Sequence, residues 1–395
     1  MKLVIAFVLL SNFISAQAWT QLTDFPNTER DDGVVAVINT KAYFGTGLLA
    51  GFTLGKDFYA LDLTNNSWSA IAPMPTGSER QYACAFTYSN SFYVFSGSGY
   101  SNVTFTDLQR YDVATNTWTV LAGKPGNGLI GAGCLEYGNK IIIVGGKFQN
   151  DVVSDEVWEY NITTNKWSQK NNSPFGGRWR ASATVLNGVG YLLFGKDNNQ
   201  SFRKELYSYN HTTDVWTKVM DFVQPNGRAY STLKGTSTKL ILFGGYDTLN
   251  TYYNDVWYFN DVTTAWTQGP TLPSGGRKGG MGCVAYDHFY YTCGINVSDT
   301  RLKETWVIDV PLGIKENANQ IDFLVYPNPC ADKLFINTNA TNYTIEICDL
   351  TSKVIFSQRI NFVNEIELPA LEKGIYFLKL IAESKIIFAK KIIKE

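Results

Sequence analysis

Six tryptophans, Trp19, Trp68, Trp118, Trp167, Trp216 and Trp266, recur along this chain at intervals of 49, 50, 49, 49 and 50 residues. A period of that length marks a tandem array whose units each bury an apolar face against a neighbour. Within a unit the pattern is alternation broken by turn residues, which points to strands and excludes a helical array. The third unit shows it. One strand covers Gly131 to Tyr137 and turns at Gly138-Asn139; a second, Lys140 to Val144, ends at Gly145-Gly146. A third runs Glu156 to Tyr160, and the fourth starts at Trp167. Gly-Asn and Asn-Gly pairs accept the positive φ of tight hairpins.

Composition agrees. Charged residues are 17% of the 395, hydrophobic residues 45% and aromatic residues 14%, with 34 glycines. Such a chain buries a large core, and its aromatics and glycines suit pleated sheets and tight turns. With 34 basic and 35 acidic residues the net charge is −1. That excludes a polybasic nucleic-acid binder and an acidic disordered tail.

The unit resembles the kelch repeat, the blade of propellers such as the galactose-oxidase central domain. The resemblance rests on Gly145-Gly146 and Gly244-Gly245, on Asn254-Asp255-Val256-Trp257, and on Thr-x-x-Trp as in Thr115 to Trp118. It implies an all-β, six-bladed kelch β-propeller over residues 19–310. The first three strands occur six times, and the sixth set has no tryptophan strand after it. The segment at Trp19 is expected to supply it and close the ring, hiding both edges.

Two columns of charge follow the period. Seventeen residues before the glycines that end strand two (Gly47, Gly97, Gly146, Gly195, Gly245 and Gly294) stand Arg30, Arg80, Leu129, Arg178, Arg228 and Arg277. Ten residues after them stand Asp57, Asp107, Glu156, Glu205, Asp255 and Glu304. The acids are read as a structural ring, each bridged to the arginine of its own blade. In blade three Leu129 leaves Glu156 to solvent or to Lys147. Because arginine has five donors, Arg30, Arg80, Arg178, Arg228 and Arg277 are also candidates to grip an anion at the channel. The most ligand-like cluster is Arg178-Trp179-Arg180 with Tyr252 and Tyr253. Arginine with aromatic rings suits a glycan or an acidic peptide.

Little points to catalysis. The two histidines, His211 and His288, are placed on the face opposite the arginines, so no copper site, no metal and no cofactor are expected. The sialic-acid mutarotase is a six-bladed kelch relative, which keeps a sugar mutarotase or epimerase as the alternative; a structural surface protein without a small ligand is a third. Cys84, Cys134, Cys283 and Cys293 sit in strand patterns as buried thiols, while Cys330 and Cys348 are left open to pair.

The ends describe traffic. Lys2, an apolar run from Leu3 to Leu10 and Ala16-Gln17-Ala18 read as a signal peptide over 1–18. No segment is long enough to be a transmembrane span. After a polar linker at 311–321, alternating strands suggest a small β-sandwich over 322–395. It resembles the type A C-terminal sorting domain of the type IX secretion system. The resemblance is carried by Tyr326-Pro327-Asn328-Pro329, by Gly374-Ile375-Tyr376-Phe377-Leu378, and by Lys390-Lys391 near the end. It implies the secretion machinery as partner and a secreted or outer-membrane cell-surface location.

Overall fold

The computed structural model describes residues 18–311 and, further on, 323–326, 329–338, 343–349, 353–360, 365–382 and 385–394. The signal-peptide reading falls almost wholly outside the described residues, as do nearly all of the linker and both Pro327 and Asn328. The chain divides between Gly313 and Ile314 into two compact units.

The first unit is a propeller of six four-stranded antiparallel sheets. In blade two the strands are Cys84–Tyr88, Ser91–Phe95, Leu108–Asp112 and Thr117–Leu121, hydrogen-bonded in that order. Burial follows position. The second strand is buried at every residue because blades cover both its faces, whereas the outermost alternates and is mostly exposed. Cores lie between blades: Phe86 and Tyr93 of blade two pack with Ile141, Ile143 and Tyr160 of blade three.

Thr20–Leu22 pairs antiparallel with Thr305–Asp309 and supplies the outer strand of blade six. Trp19 packs its ring on Phe243 and Phe289, 5.4 and 6.0 Å between centroids. The indole N–H groups of Trp19, Trp68, Trp118 and Trp167 donate to the carbonyls of Pro270, Thr23, Ala72 and Ala122, so the repeated tryptophan also ties successive blades together.

Two closed circuits of backbone hydrogen bonds join the blades near the axis. In one, Gly47, Gly97, Gly146, Gly195, Gly245 and Gly294 each donate to the residue at the arginine column of the next blade, at 2.7–3.0 Å. Their φ values of 88 to 97° need glycine, and a Cβ at Gly47 would stand 2.5 Å from the Asp31 carbonyl oxygen. In the other, Asp32, Tyr82, Gly131, Arg180, Tyr230 and Gly279 form a ring, each N–H donating to the carbonyl of the member before it, at 2.6–3.3 Å. All six have φ near 60°.

The second unit is a two-sheet sandwich. One sheet holds Phe323–Tyr326, Lys333–Thr338 and Glu365–Glu367; the other orders Val354–Ile360, Tyr343–Cys348, Gly374–Ala382 and Lys385–Lys394. Leu334, Ile345, Leu378 and Ile392 are in its core. Gly374 pairs with Lys394 at the end of the longest ladder, and the Tyr376 hydroxyl donates to the Glu372 carbonyl at 2.9 Å. The Lys390 and Lys391 backbones lie in the same ladder, and Pro329 is exposed. The Cys330–Cys348 pairing is not made. Cys348 is a buried thiol, and the Cys330 thiol donates to the Ile393 carbonyl at 3.3 Å.

Candidate functional site

The arginine column is buried. Arg30, Arg80, Arg228 and Arg277 are wholly inaccessible and Arg178 nearly so. Arg30 contacts both oxygens of Asp57 at 2.9 and 2.8 Å, and Arg80 both oxygens of Asp107 at 2.7 and 2.9 Å. Arg228 contacts Asp255 twice at 2.6 Å, and Arg277 reaches Glu304 at 2.7 Å. Remaining donors turn to protein carbonyls, as Arg30 does to Thr28 and Thr46. The pair in blade four is looser: Arg178 stands 3.6 Å from Glu205, because Arg203 holds that acid at 2.6 Å.

The structure shows the expected bridges of Arg30, Arg80, Arg178, Arg228 and Arg277 and places these side chains inside the blades rather than at an open surface. Most of their donors are engaged inside the blades, where a buried guanidinium needs partners, although Nη2 of Arg178 and the Nε atoms of Arg228 and Arg277 are buried without a hydrogen-bond partner among the described residues. The reading of Glu156 is corrected, since it meets Lys124 at 3.2 Å while Lys147 goes to Asp151 at 2.5 Å.

The mouth of the channel on this face is built by other residues. From the ring of positive-φ residues, Arg180 of blade four reaches across the axis to Asp32 of blade one in a direct ion pair. Tyr82 and Tyr230 flank it, with the guanidinium carbon 4.7 and 3.8 Å from their ring centroids. Burial pushes the Asp32 carboxyl well above the ordinary range; Arg180 pulls it back only in part, and neighbouring Asp31 adds to the rise. Asp31 is itself held by Arg301 at 2.6 Å. Gly131 and Gly279 complete the ring without side chains. A Cβ at Gly131 would stand 2.5 Å from Arg180 Cδ, and one at Gly279 would stand 2.8 Å from Asp32 Oδ1. Those two gaps let the clasp cross.

Outside the clasp each blade adds a short ladder of bridges, among them Ile130–Lys147–Val153, Trp179–Lys196–Phe202 and Ala229–Tyr246–Tyr252. The result is an arc in which ammonium groups alternate with rings. Lys147 Nζ lies 4.5 Å from the Trp179 centroid, Lys196 Nζ 4.5 Å from Phe202 and 5.2 Å from Tyr246, and Lys278 Nζ 4.2 Å from Tyr246 and 5.0 Å from Tyr252. Neither Lys196 nor Lys278 forms a direct ion pair among the described residues, although the charge of Lys278 acts on the nearby Asp32 carboxyl.

Of the sequence cluster, Trp179 and Tyr252 belong to this arc. Arg180 belongs to the clasp, and Tyr253 stacks on Arg228 at 3.5 Å with its hydroxyl donating to Asp247. Sequence reasoning missed Asp32, Lys196 and Lys278. The period could have found them: each lysine directly follows a marked column, Lys196 after Gly195 and Lys278 after Arg277, and Asp32 shares a column with Arg180. The histidines lie elsewhere, His211 stacked on Tyr137 and His288 bonded to Asp309 at 2.7 Å.

These features define a kelch-type propeller. The chain is a kelch-repeat protein that carries a secretion-system sorting domain. Residues 131–313 match the KLHDC2/KLHL20/DRC7 Kelch-repeats domain, residues 46–155 match N-acetylneuraminate epimerase, and residues 324–395 match the Secretion system C-terminal sorting domain. The sorting domain marks the protein for export, secreted or at the cell surface.

Among characterised proteins, the N-acetylneuraminate epimerase of Vibrio vulnificus (strain YJ016) is 33% identical over 109 residues, 26% of this chain and 27% of that protein. The epimerase of Escherichia coli (strain K12) is 31% identical over 105 residues, 25% of this chain and 27% of that protein. The chain thus spans about a quarter of the length of these relatives. The structure described as "Structure of YjhT" superposes with a TM-score of 0.65 at 20% identity, over 75% of this chain and 98% of that one, a likeness of fold. No helix among the described residues is long and apolar enough to cross a membrane.

Proposed function

We propose that this exported propeller binds an acidic glycan at the channel mouth outside the Asp32–Arg180 clasp. The observation that carries the reading is the arc of Trp179, Lys196, Phe202, Tyr246, Lys278 and Tyr252. Half-buried rings offer flat apolar faces to sugar rings. Lys196 and Lys278 hold ammonium groups between those rings without a direct ion pair, Lys278 feeling only the more distant Asp32 charge, which suits them to a carboxylate or sulfate. A glycan array run with an acidic-peptide panel tests it. Binding of acidic glycans that weakens with salt and is lost in the Lys196→Met/Lys278→Met protein supports the proposal. Binding to peptides alone replaces it, and silence on both leaves a structural surface protein.

One observation favours a second reading, a sugar mutarotase or epimerase. Asp32 is a buried carboxyl with a raised proton affinity, touching Arg180 and close to Tyr82 and Tyr230. A carboxyl of that kind is suited to general acid–base work. The segment similar to the epimerases, 46–155, contains Tyr82 but neither Asp32 nor Arg180. Proton NMR of sialic-acid anomers mixed with the protein decides it, and an unchanged interconversion rate removes the reading.

A further inference from the structure

The loops that join second to third strands share one backbone feature. The fifth residue after the strand-two glycine is left-handed in five blades: Phe52, Asp151, Gln200, Asn250 and Asp299, with φ of 55 to 67°. Blade two places Ser101 there one residue earlier, at 54°. Polar residues such as aspartate and asparagine tolerate that conformation, whereas a bulky aromatic is strained in it. Phe52 is nonetheless 76% exposed, so burial does not offset the strain.

Its ring is held from one side. Arg301 Cζ of blade six lies 5.0 Å from the Phe52 centroid, and Arg301 is itself fixed by Asp31 at 2.6 Å. One blade on, Tyr100 is 53% exposed, and its hydroxyl accepts the Leu54 N–H at 2.9 Å. The two rings thus stand on neighbouring loops that are bonded to each other. Val103 and Val297 add exposed apolar surface beside them.

Charge singles out the same two loops. Residues 47–55 and 97–106 contain no charged side chain, while the other four loops carry Lys147, Lys196, Asp247 and Asp299. Glu29, whose carbonyl accepts the Ala50 N–H, pairs with Lys303 at 3.7 Å, and Glu79 pairs with Lys56 at 3.3 Å. Pre-fixed rings in charge-free surroundings suit the flat C–H faces of uncharged sugars and lose little freedom on binding them. Four exposed apolar side chains fall far short of the roughly 20–30 residues that each side brings to a stable protein interface.

We infer that the rim of blades one and two is a binding platform for a neutral glycan, whose sugar rings stack on Phe52 and Tyr100. The platform is separate from the lysine–aromatic arc and stands or falls without it.

The test is calorimetry on the full chain with cellohexaose, xylohexaose, chitohexaose and laminarihexaose. The expected result is saturable binding of at least one sugar, unchanged between about 0.1 and 0.5 M salt because no charge takes part. Phe52→Asn and Tyr100→Ala each weaken it by about tenfold or more, and Phe52→Tyr retains it. Lys196→Met/Lys278→Met binds these sugars as the natural protein does, which separates the platform from the arc. Phe52→Asn also melts no lower than the natural protein, since blade five holds Asn250 at the equivalent place. Binding of none of the four sugars, or equal binding by Phe52→Asn, overturns the inference. A lower melting temperature in Phe52→Asn makes the ring a cover for Arg301 and overturns it as well. Self-association that Phe52→Asn abolishes, with no sugar bound, would assign the rim to contact between copies instead.

Discussion

Lys124 Nζ lies 3.2 Å from Glu156 Oε2 and 4.5 Å over the Trp158 ring, doing in blade three what an arginine does in the other five. Its counterparts are Phe25, Met74, Ser173, Phe222 and Leu272. Each of the six donates its N–H to the carbonyl just before the acid of the preceding blade. These counterparts are buried and uncharged, and Arg30 and Arg228 rest on Phe25 and Phe222. In blade three cation and apolar group have exchanged places, Leu129 standing where the arginine would be.

Lys124→Met therefore leaves Glu156 with only the Trp158 indole, which donates at 2.8 Å. It is expected to cost roughly 2 kcal/mol, the scale for losing a charged hydrogen bond. Adding Leu129→Arg restores the pattern of the other blades. In chemical denaturation the double variant should recover most of the loss; a double variant no more stable than Lys124→Met would sink the exchange.

That exchange shows what the sequence could and could not display. The six-fold period, the closing strand at Trp19 and the pairing of column arginines with column acids are all readable, since each is written as a residue at fixed spacing. Lys124 is five residues from Leu129, in a column that otherwise carries no charge, so nothing in the pattern marks it. Arg180 and Asp32 lie 148 residues apart, and only closure of the ring brings them face to face. Burial was the other hidden quantity. The arginine column looks the same in sequence whether its donors point to the lumen or into the blade.

Gly131 and Gly279 should be the least replaceable residues of the mouth. An alanine at 279 meets Asp32 Oδ1 at 2.8 Å and must hold a φ of 65°. Holding such a φ alone costs about 1 kcal/mol, and displacing the clasp adds to it. Gly77 also has positive φ, 88°, but nothing stands within 4 Å of its Cβ position. Gly279→Ala should lower the melting temperature more than Gly77→Ala, and equal shifts would mean that the clasp contributes nothing.

Removal of Trp19 to Leu22 takes the fourth strand from blade six and bares the edge of Thr305–Asp309. An unpaired edge invites pairing between copies. The shortened protein is expected to melt lower and to show dimers or larger species by light scattering. A monomer as stable as the natural protein would mean that the ring does not depend on this closure.

Deleting residues 322–395 removes the whole matched sorting domain and leaves the propeller strands untouched. The truncated protein should stay behind the outer membrane, detected by fractionation. Its appearance at the surface in normal amount would refute the role assigned to this segment.

Acid and clasp carboxyls predict opposite pH responses. At Asp57 burial pushes the carboxyl up, but the hydrogen bonds and charge of Arg30 outweigh it and hold it below the ordinary 3.8. At Glu304 burial is again opposed and overcome, chiefly by Arg277, giving a value below 4.5. For a carboxyl depressed on folding, the unfolded chain takes up protons first as pH falls. This stability is complete above the unfolded value and lost as pH drops through the folded one. Asp32 is raised by burial, so its contribution is present below the ordinary 3.8 and lost as pH climbs toward the folded value. Melting temperatures across pH should therefore separate two variants. Asp57→Asn flattens the acid limb below about pH 4, and Asp32→Asn flattens the stretch above it. If Asp32→Asn instead altered only the acid limb, the carboxyl at the mouth would be an ordinary ionised partner of Arg180.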